Sequence, residues 1–370
     1  MAMHHGLAVR AARWLWLTTL CCAVGADQFD RAAADESHRS LRAAASRDQF
    51  DRLRLQHPGL RRAKPRTRSA HGMSPEAALE LKSKPTPRAT VDRRVALGNS
   101  TMPAVLYGTA WKKAKTAGLV FAAVKVGFTG IDTATAKKHY NEAVVGDGLA
   151  AAAETVWTQS KFTYPRGHDP GEAPWGDATD PAERVARSVR AALANLKVTK
   201  LDAFLLHGPS TEARQSGSLT SEDVATWAAI ARAKRDGLVG AIGVSNVDAT
   251  LLRQFLALPD PPQIVQNRCF ASSGWDYEIR GICREHRVVY EGFSLLTANR
   301  DITADGGPVA AAAARLGKTR QQVVFRFALE VGMVPLTGTT DERHMAEDLG
   351  VFDFELTGDE VAAIEGAGVL

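Results

Sequence analysis

Short apolar runs alternate with stretches of helical spacing through the last three-quarters of this chain. Six of the runs end at a polar side chain able to take part in chemistry, namely Asp132, Lys161, His207, Asn246, Gln266 and Ser294. Repeated strand–helix units are typical of parallel α/β folds. Eight such units predict a (β/α)8 TIM barrel, which gathers the carboxyl ends of its strands at one mouth. The pattern therefore predicts an enzyme site at that mouth.

The predicted elements follow one another in strict alternation after a hairpin through residues 98–103. Strands are expected over 104–110, 129–134, 154–162, 201–207, 239–246, 263–268, 288–295 and 333–338. Helices are expected over 116–126, 141–153, 181–196, 221–235, 248–257, 276–286, 319–331 and 341–348. None of these strands is followed by G-x-G-x-x-G, the phosphate-binding pattern of an open dinucleotide-binding sheet. A nucleotide would therefore have to bind through a different structural motif.

The first 90 residues differ in charge from the rest of the chain. They hold sixteen Lys and Arg against eight Asp and Glu, a balance of +8. The whole chain carries +5, which leaves −3 for residues 91–370. The basic character therefore belongs to the leader, and a nucleic-acid partner for the body is not expected. We assign the barrel domain to residues 91–370.

Residues 1–26 have the order of a secretory signal peptide. Arg10 and Arg13 precede the apolar run Trp14–Leu20, and small residues follow up to Ala26. The run is shorter than the ~20 residues of a membrane span, so an uncleaved anchor is the weaker interpretation. We expect translocation into the secretory pathway. Two-step targeting to a plastid is an alternative, and the protein is cytoplasmic if the leader is not a signal.

Residues 27–90 form a low-complexity basic segment. The pentapeptide DQFDR occurs at 27–31 and again at 48–52, among many Ala, Arg and Ser residues. Few large apolar side chains are available for burial, which predicts a disordered linker or a processed leader. A short amphipathic helix formed by the repeat is the alternative.

Seven motifs between residues 92 and 370 resemble those of the aldo-keto reductase family. They are GFTGIDTA, NEAVVG, QSKF, LLHGP, GAIGVSN, IVQN and VFDFELT, in the order and at spacings compatible with the family. The resemblance implies hydride transfer between a nicotinamide cofactor and an aldehyde or ketone carbonyl. It further implies NADPH as the cofactor, with NADH as an alternative.

Three members of the family's catalytic tetrad match this chain directly. Asp132 lies in IDTA, Lys161 in QSKF and His207 in LLHGP. In the implied mechanism a tyrosine protonates the substrate oxygen, and the lysine lowers the pKa of that tyrosine. Asp132 would hold Lys161 charged and oriented, and His207 would orient and polarise the carbonyl.

The tyrosine of the tetrad departs from the usual spacing. The family places it five residues after the aspartate, where this chain has Lys137. The sequence KKHYNE then brings His139 and Tyr140 seven and eight residues after Asp132. We predict that a longer loop presents Tyr140 as the proton donor, with His139 as the alternative acid–base group.

The resemblance also implies which residues contact the nicotinamide. These positions are Ser245, Asn246, Gln266, Phe293, Ser294 and Leu295. The polar residues Ser245, Asn246 and Gln266 match those that bind the carboxamide, and binding there fixes which ring face meets the substrate. Phe293 matches the aromatic residue that stacks on the ring, where many relatives have Tyr.

The adenosine end of the cofactor is less well matched. The family commonly has Lys and Ser just after the last strand and an Arg further on, whereas this chain has Leu336 and then Thr337. Arg343 is the candidate for the 2′-phosphate, because a guanidinium can pair with phosphate oxygens. Glu347 and Asp348 match positions that face the adenine.

Aromatic residues near the predicted mouth are candidates for the substrate pocket. Tyr107 and Trp111 lie at or after the first barrel strand, and Trp175 lies in the long loop after the third. Apolar walls around a polar centre are usual in such pockets. We therefore expect these three side chains to face a small carbonyl substrate.

Three alternatives to a reductase are considered. A regulatory barrel of the same family would bind the cofactor without turnover. A Schiff-base aldolase would use Lys161 as a nucleophile. A metal-dependent hydrolase is disfavoured, and no metal is expected, because the strand ends offer one His and one Asp, short of three ligands. We expect a monomer or a small homo-oligomer.

Overall fold

The computed structural model describes residues 93–368 of this chain. The signal peptide predicted over 1–26 and the linker predicted over 27–90 lie outside the described residues and stay predictions.

Eight parallel strands close into a barrel within residues 93–368, in the order β10-β3-β4-β5-β6-β7-β8-β9. An antiparallel hairpin of β1 and β2 precedes it. The strands are β1 (Arg94–Leu97), β2 (Ser100–Pro103), β3 (Leu106–Gly108), β4 (Gly130–Asp132), β5 (Trp157–Phe162), β6 (Leu201–Leu206), β7 (Val239–Ser245), β8 (Ile264–Arg268), β9 (Val289–Phe293) and β10 (Met333–Thr337). The predicted (β/α)8 barrel is confirmed.

The helices surround the barrel and connect its strands. They are α1 (Thr116–Val126), α2 (Glu142–Ala152), α3 (Pro181–Leu196), α4 (Thr211–Ser216), α5 (Ser221–Arg235), α6 (Ala249–Leu256), α7 (Tyr277–Glu285), α8 (Pro308–Leu316), α9 (Arg320–Glu330), α10 (Glu342–Leu349) and α11 (Gly358–Gly366). No helix within residues 93–368 is both long and apolar enough to cross a membrane.

Local signals explain where several helices begin. The Asp180 carboxylate accepts a hydrogen bond from the backbone N–H of Glu183 at 2.9 Å, and Pro181 occupies the first helical position of α3. This combination of an N-cap aspartate and a proline at the first helical position is typical of a helix start. Helices α4 and α8 were not predicted. The first has only six residues, and the second lies between β9 and α9 as an extra helix in one strand–helix unit.

The hairpin closes the end of the barrel opposite the mouth. Leu97 and Met102 from β1 and β2 belong to an apolar cluster inside the barrel, together with Leu106, Trp157 and Leu205. The hairpin turn at Gly98 lies beside the Gln263 side chain, just before β8 begins. Among residues 93–368, the hairpin therefore covers the amino ends of the strands and leaves their carboxyl ends open.

We predict that replacing Gly146 by alanine destabilises the protein. Alanine normally stabilises a helix relative to glycine, but a Cβ at Gly146 in α2 would overlap the backbone carbonyl of Asn195. We expect the free energy of unfolding to fall by about 1–3 kcal/mol because the two helices must move apart. Denaturant titration of the wild type and of Gly146→Ala measures this change in the free energy of unfolding.

Gly118→Ala in α1 is the matched control for this substitution. Gly118 is exposed, and a Cβ there would have no atom within 4 Å. This variant should gain roughly 0.5–1 kcal/mol in the free energy of unfolding. Equal effects at both positions would contradict the close packing of α2 against α3.

Candidate active site

A cleft of about 880 Å³ opens where the barrel strands end. Most of the residues predicted from the sequence line it, namely Trp111, Asp132, Tyr140, His207, Asn246, Gln266, Phe293, Ser294, Leu295, Thr337, Arg343, Glu347 and Asp348. They come from strand ends and following loops that are far apart in the chain. The parallel barrel brings them together because all its strands point the same way.

Lys161 and Asp132 form an ion pair inside the mouth. The Lys161 ammonium has no exposed surface and donates to Asp132 Oδ1 at 2.5 Å and to the carbonyl of Thr133 at 2.9 Å. A buried ammonium would be very unfavourable without such a partner. The neighbouring strands β4 and β5 thus hold opposite charges in contact.

Tyr140 lies over this ion pair. The Lys161 Nζ atom is 5.7 Å from the centre of the Tyr140 ring, and the ring meets that of His207 edge-on with 5.9 Å between centres. Burial raises the pKa of the Tyr140 phenol, and the charge of Asp132 adds to the effect. Burial dominates in this state, and the lowering of this pKa by Lys161 stays a prediction. A protonated phenol is nevertheless what a proton donor requires.

His207 is held in the neutral form beside Tyr140. Its Nδ1 lies 2.7 Å from Thr163 Oγ1, and its backbone carbonyl accepts from Asn246 Nδ2 at 2.8 Å. Burial lowers the pKa of His207 to about 3, and the nearby charge of Lys161 contributes. The imidazole is consequently uncharged at neutral pH and can be fixed in one tautomer by Thr163.

His139 lies on the same side of the cleft, next to Trp111. The two rings stack with 4.1 Å between centres, and the backbone N–H of Trp111 donates to the carbonyl of His139 at 2.8 Å. Nδ1 of His139 is buried and has no hydrogen-bond partner among residues 93–368. Trp111 is 65% exposed, so it can cover a ligand. His139 therefore stays a candidate beside Tyr140.

Two aromatic residues predicted for the substrate pocket lie elsewhere. Tyr107 is fully buried and donates its hydroxyl to the carbonyl of Thr339 at 2.8 Å. Trp175 is buried against Phe162, with 5.3 Å between ring centres. The prediction that Tyr107 and Trp175 wall the pocket is wrong, since burial of their rings in the core removes more apolar surface from water.

The chain adopts a left-handed backbone at three positions along the cleft. Trp111, Asn246 and Ser294 have φ values of 64°, 54° and 59°. Residues other than glycine rarely adopt this backbone conformation, and it concentrates at functional sites.

Ser245, predicted to contact the cofactor, is instead buried behind Asn246, whose Nδ2 donates to Ser245 Oγ at 3.0 Å.

A polar layer that sequence reasoning missed lies beneath the cleft. The side-chain amides of Gln159 and Gln266 each donate to Asp132 and to Glu291, at distances between 2.7 and 3.0 Å. Glu291 has no exposed surface. The available signals were a charged residue inside the apolar run VVYEGF and a glutamine beside Lys161 in WTQSK.

The edge of the cleft beside β10 carries the predicted phosphate and adenine residues. Thr337 Oγ1 donates to Asp348 at 2.5 Å, and burial raises the pKa of the Asp348 carboxyl to about 6. The Arg343 side chain is 76% exposed and lies 3.7 Å from Glu347. Lys112, in the loop after the neighbouring strand β3, was also missed and donates to the carbonyl of Gly338. Lys112 and Arg343 thus give this edge two cationic groups.

Comparisons with known proteins agree with this geometry. The sequence model of the Aldo/keto reductase family matches residues 96–299. An aldo-keto reductase of Mycolicibacterium smegmatis is 29% identical over 255 residues, covering 67% of this chain and 80% of that protein. Deoxymugineic acid synthase 1-B of Triticum aestivum is 30% identical over 285 residues, covering 70% of this chain and 85% of that protein.

Solved structures show the same architecture. An aldo-keto reductase from a Medee basin deep-sea metagenome library has a TM-score of 0.63 at 20% identity, over 75% of this chain and 95% of that chain. An aldo/keto reductase from Brucella melitensis has a TM-score of 0.61 at 22% identity, over 74% of this chain and 98% of that chain. At these identities the likeness concerns the fold.

This chain belongs to the aldo/keto reductase family. Its members are generally oxidoreductases that reduce carbonyl groups with a nicotinamide cofactor. The resemblance seen in the seven sequence motifs is confirmed.

We predict that His207 makes the folded state less stable in mild acid. The pKa of the ring is about 3 in the folded chain and near 6.5 when unfolded, so the unfolded chain takes up the proton first. Stability is therefore lost as the pH falls below 6.5. Between pH 7.5 and 5.0 the loss from this group is at most about 2 kcal/mol.

Urea unfolding of the wild type and of His207→Asn at both pH values isolates this contribution. The variant should lose less stability on acidification, by up to about 2 kcal/mol. The same loss in both proteins would mean that the native ring already binds a proton at pH 5.

Proposed function

We propose that this chain is an NADPH-dependent reductase of aldehydes or ketones in which Tyr140 donates the proton. The observation that carries the proposal is that Tyr140, His207 and the Lys161–Asp132 pair meet at one cleft. A bound nicotinamide would supply the hydride.

Residues of this chain stabilise and then neutralise the negative charge that develops on the carbonyl oxygen. A neutral His207 can donate a hydrogen bond to this oxygen, provided that the hydroxyl of Thr163 donates to Nδ1. Tyr140 then transfers its phenolic proton to the oxygen. The resulting phenolate lies near the Lys161 ammonium, which stabilises it, and Asp132 keeps the ammonium in place.

The residues of the cleft fit a nicotinamide dinucleotide. Both N–H groups of the Gln266 amide are directed at Asp132 and Glu291, so its oxygen is left to accept from a carboxamide. Phe293 offers a flat apolar face on the same wall. The exposed guanidinium of Arg343 at the β10 edge suits a 2′-phosphate, which favours NADPH over NADH.

A cofactor-binding regulatory barrel is the second candidate. It is motivated by the displaced tyrosine, which follows Asp132 by eight residues instead of five. Such a protein would keep the cofactor contacts and lack turnover. The Schiff-base alternative loses support, because the Lys161 ammonium is fully buried and already bonded to Asp132 and Thr133.

We predict that Tyr140→Phe abolishes most aldehyde-dependent oxidation of NADPH. Loss of a general acid should lower kcat by about 10²–10⁴-fold, whereas the Kd for NADPH should change less than about twofold. Nicotinamide absorbance follows turnover, and tryptophan fluorescence of the full chain follows binding, with a panel of aldehydes as substrates.

His139→Asn is the matched comparison, since His139 is the adjacent candidate acid. If His139→Asn loses turnover and Tyr140→Phe retains it, the donor is His139. Binding without turnover in the wild type would support the regulatory barrel, and no binding of either cofactor would refute the cofactor assignment.

We predict that Arg343→Ala weakens NADPH binding and spares NADH. Removing the guanidinium should raise the Kd for NADPH about tenfold, equivalent to about 1.4 kcal/mol. NADH lacks the 2′-phosphate, so its Kd should change less than about twofold. Arg284→Ala, an exposed arginine on α7, is the control and should affect neither. An equal loss for both cofactors would show that Arg343 does not read the 2′-phosphate.

A further inference from the structure

Glu291 is a carboxyl group in the barrel interior with no assigned role. It lies on β9, opposite Gln266 of β8 and Val334 of β10, and is fully buried. Its Oε2 accepts from Gln159 Nε2 at 2.8 Å and from Gln266 Nε2 at 2.7 Å. Its Oε1 has no partner among residues 93–368. A buried, half-satisfied carboxyl group calls for an explanation.

Four side chains form a closed ring at this level of the barrel. The amide nitrogens of Gln159 and Gln266 each bridge Glu291 Oε2 and Asp132 Oδ1, the latter at 2.8 and 3.0 Å. An amide NH₂ has two hydrogens, and both are used. Turning the Gln266 amide over would set its oxygen against two carboxyl oxygens, so Glu291 helps to keep that oxygen facing the cleft.

The charges around Glu291 do not balance when it is ionised. Asp132 from β4 and Lys161 from β5 are the charged groups that act on it, whereas Gln266 of β8 and Val334 of β10 are uncharged. Asp132 and Lys161 neutralise each other. Burial, together with the charge of Asp132, raises the pKa of Glu291 to about 7. Near neutral pH the interior therefore alternates between zero and one unpaired negative charge.

We propose that Glu291 is a positioning residue that sets the charge beneath the nicotinamide, so that its ionised form favours the oxidised cofactor over the reduced one. This rests on the proposed function, in which the nicotinamide lies against Gln266 and Phe293. The oxidised ring carries a positive charge and the reduced ring carries none. A buried negative charge below Gln266 attracts only the first, and low-dielectric surroundings strengthen that attraction.

The test measures the Kd of the full chain for NADP⁺ and for NADPH between pH 5.5 and 8.5. In the wild type the Kd for NADP⁺ divided by the Kd for NADPH should fall roughly tenfold as the pH rises through 7, because NADP⁺ gains affinity. The ratio cancels the titration of the 2′-phosphate and of Asp348, since both cofactors share the adenine end. In Glu291→Gln the ratio should stay near its low-pH value at every pH.

Glu142→Gln is the matched control. Glu142 is also buried, with a pKa raised to about 7 by burial, but its carboxylate accepts from Ser160, which by strand alternation lies on the opposite face of β5 from Gln159 and Lys161. Its replacement should leave the pH dependence of the ratio intact. A ratio that still falls with pH in Glu291→Gln would overturn the proposal. A wild type that binds neither cofactor would instead refute the proposed function.

A second measurement serves if Glu291→Gln does not fold. Calorimetry of the wild type at pH 7 in buffers of different ionisation enthalpy counts the protons released on binding. NADP⁺ should release a fraction of a proton more than NADPH, because its charge drives Glu291 to ionise. Equal proton counts for the two cofactors would overturn the proposal.

Discussion

Lys161 can keep a charged ammonium in the barrel interior only because Asp132 lies 2.5 Å away. The same Asp132 oxygen also receives the amides of Gln159 and Gln266, and those amides bind Glu291. One ion pair thereby connects strands β4, β5, β8 and β9 across the barrel. Tyr140 lies above this pair, and Gln266, proposed to contact the cofactor, is hydrogen-bonded to it, so a change in the charge of the pair alters the electrostatic potential at both residues.

The polar layer lies between an apolar cluster and the open cleft, and this position determines its electrostatics. Below it lies the apolar cluster that contains Met102, Leu106 and Leu205. Above it lies the cleft, which admits water and ligand. In such a confined place an unpaired charge changes local energies far more than it would at the surface. The same confinement keeps His207 neutral and Tyr140 protonated.

Much of the fold could be predicted because its signals are local. Strand ends were marked by polar residues after apolar runs, and the start of α3 coincides with the local signal of Asp180 and Pro181. The candidate tetrad and the residues proposed to contact the cofactor were found from motifs, which fix the order of the residues along the chain. Their shared cleft then follows from the parallel barrel.

Features that depend on contacts across the barrel were not accessible. In the sequence Glu291 is simply a charged residue within a strand. The closed barrel brings it into hydrogen-bond contact with Gln159 on the non-neighbouring strand β5. Tyr107 and Trp175 were misplaced because an aromatic residue at a strand end or in a following loop can turn toward the core or toward the mouth. The direction of the Tyr140 pKa depends on the burial of its phenol and on the nearby Asp132, which only the folded barrel defines.

The hairpin stabilises the amino end of the barrel, whereas the candidate ligand-binding residues lie at its carboxyl end. The apolar side chains Leu97 and Met102 of the hairpin close the barrel floor, and neither of them lines the cleft. Structural cohesion and ligand selection are therefore supplied by opposite ends of the molecule. Loops around the mouth can diverge in length and sequence while the floor stays constant, so this architecture permits new substrate preferences to evolve without loss of the folded barrel.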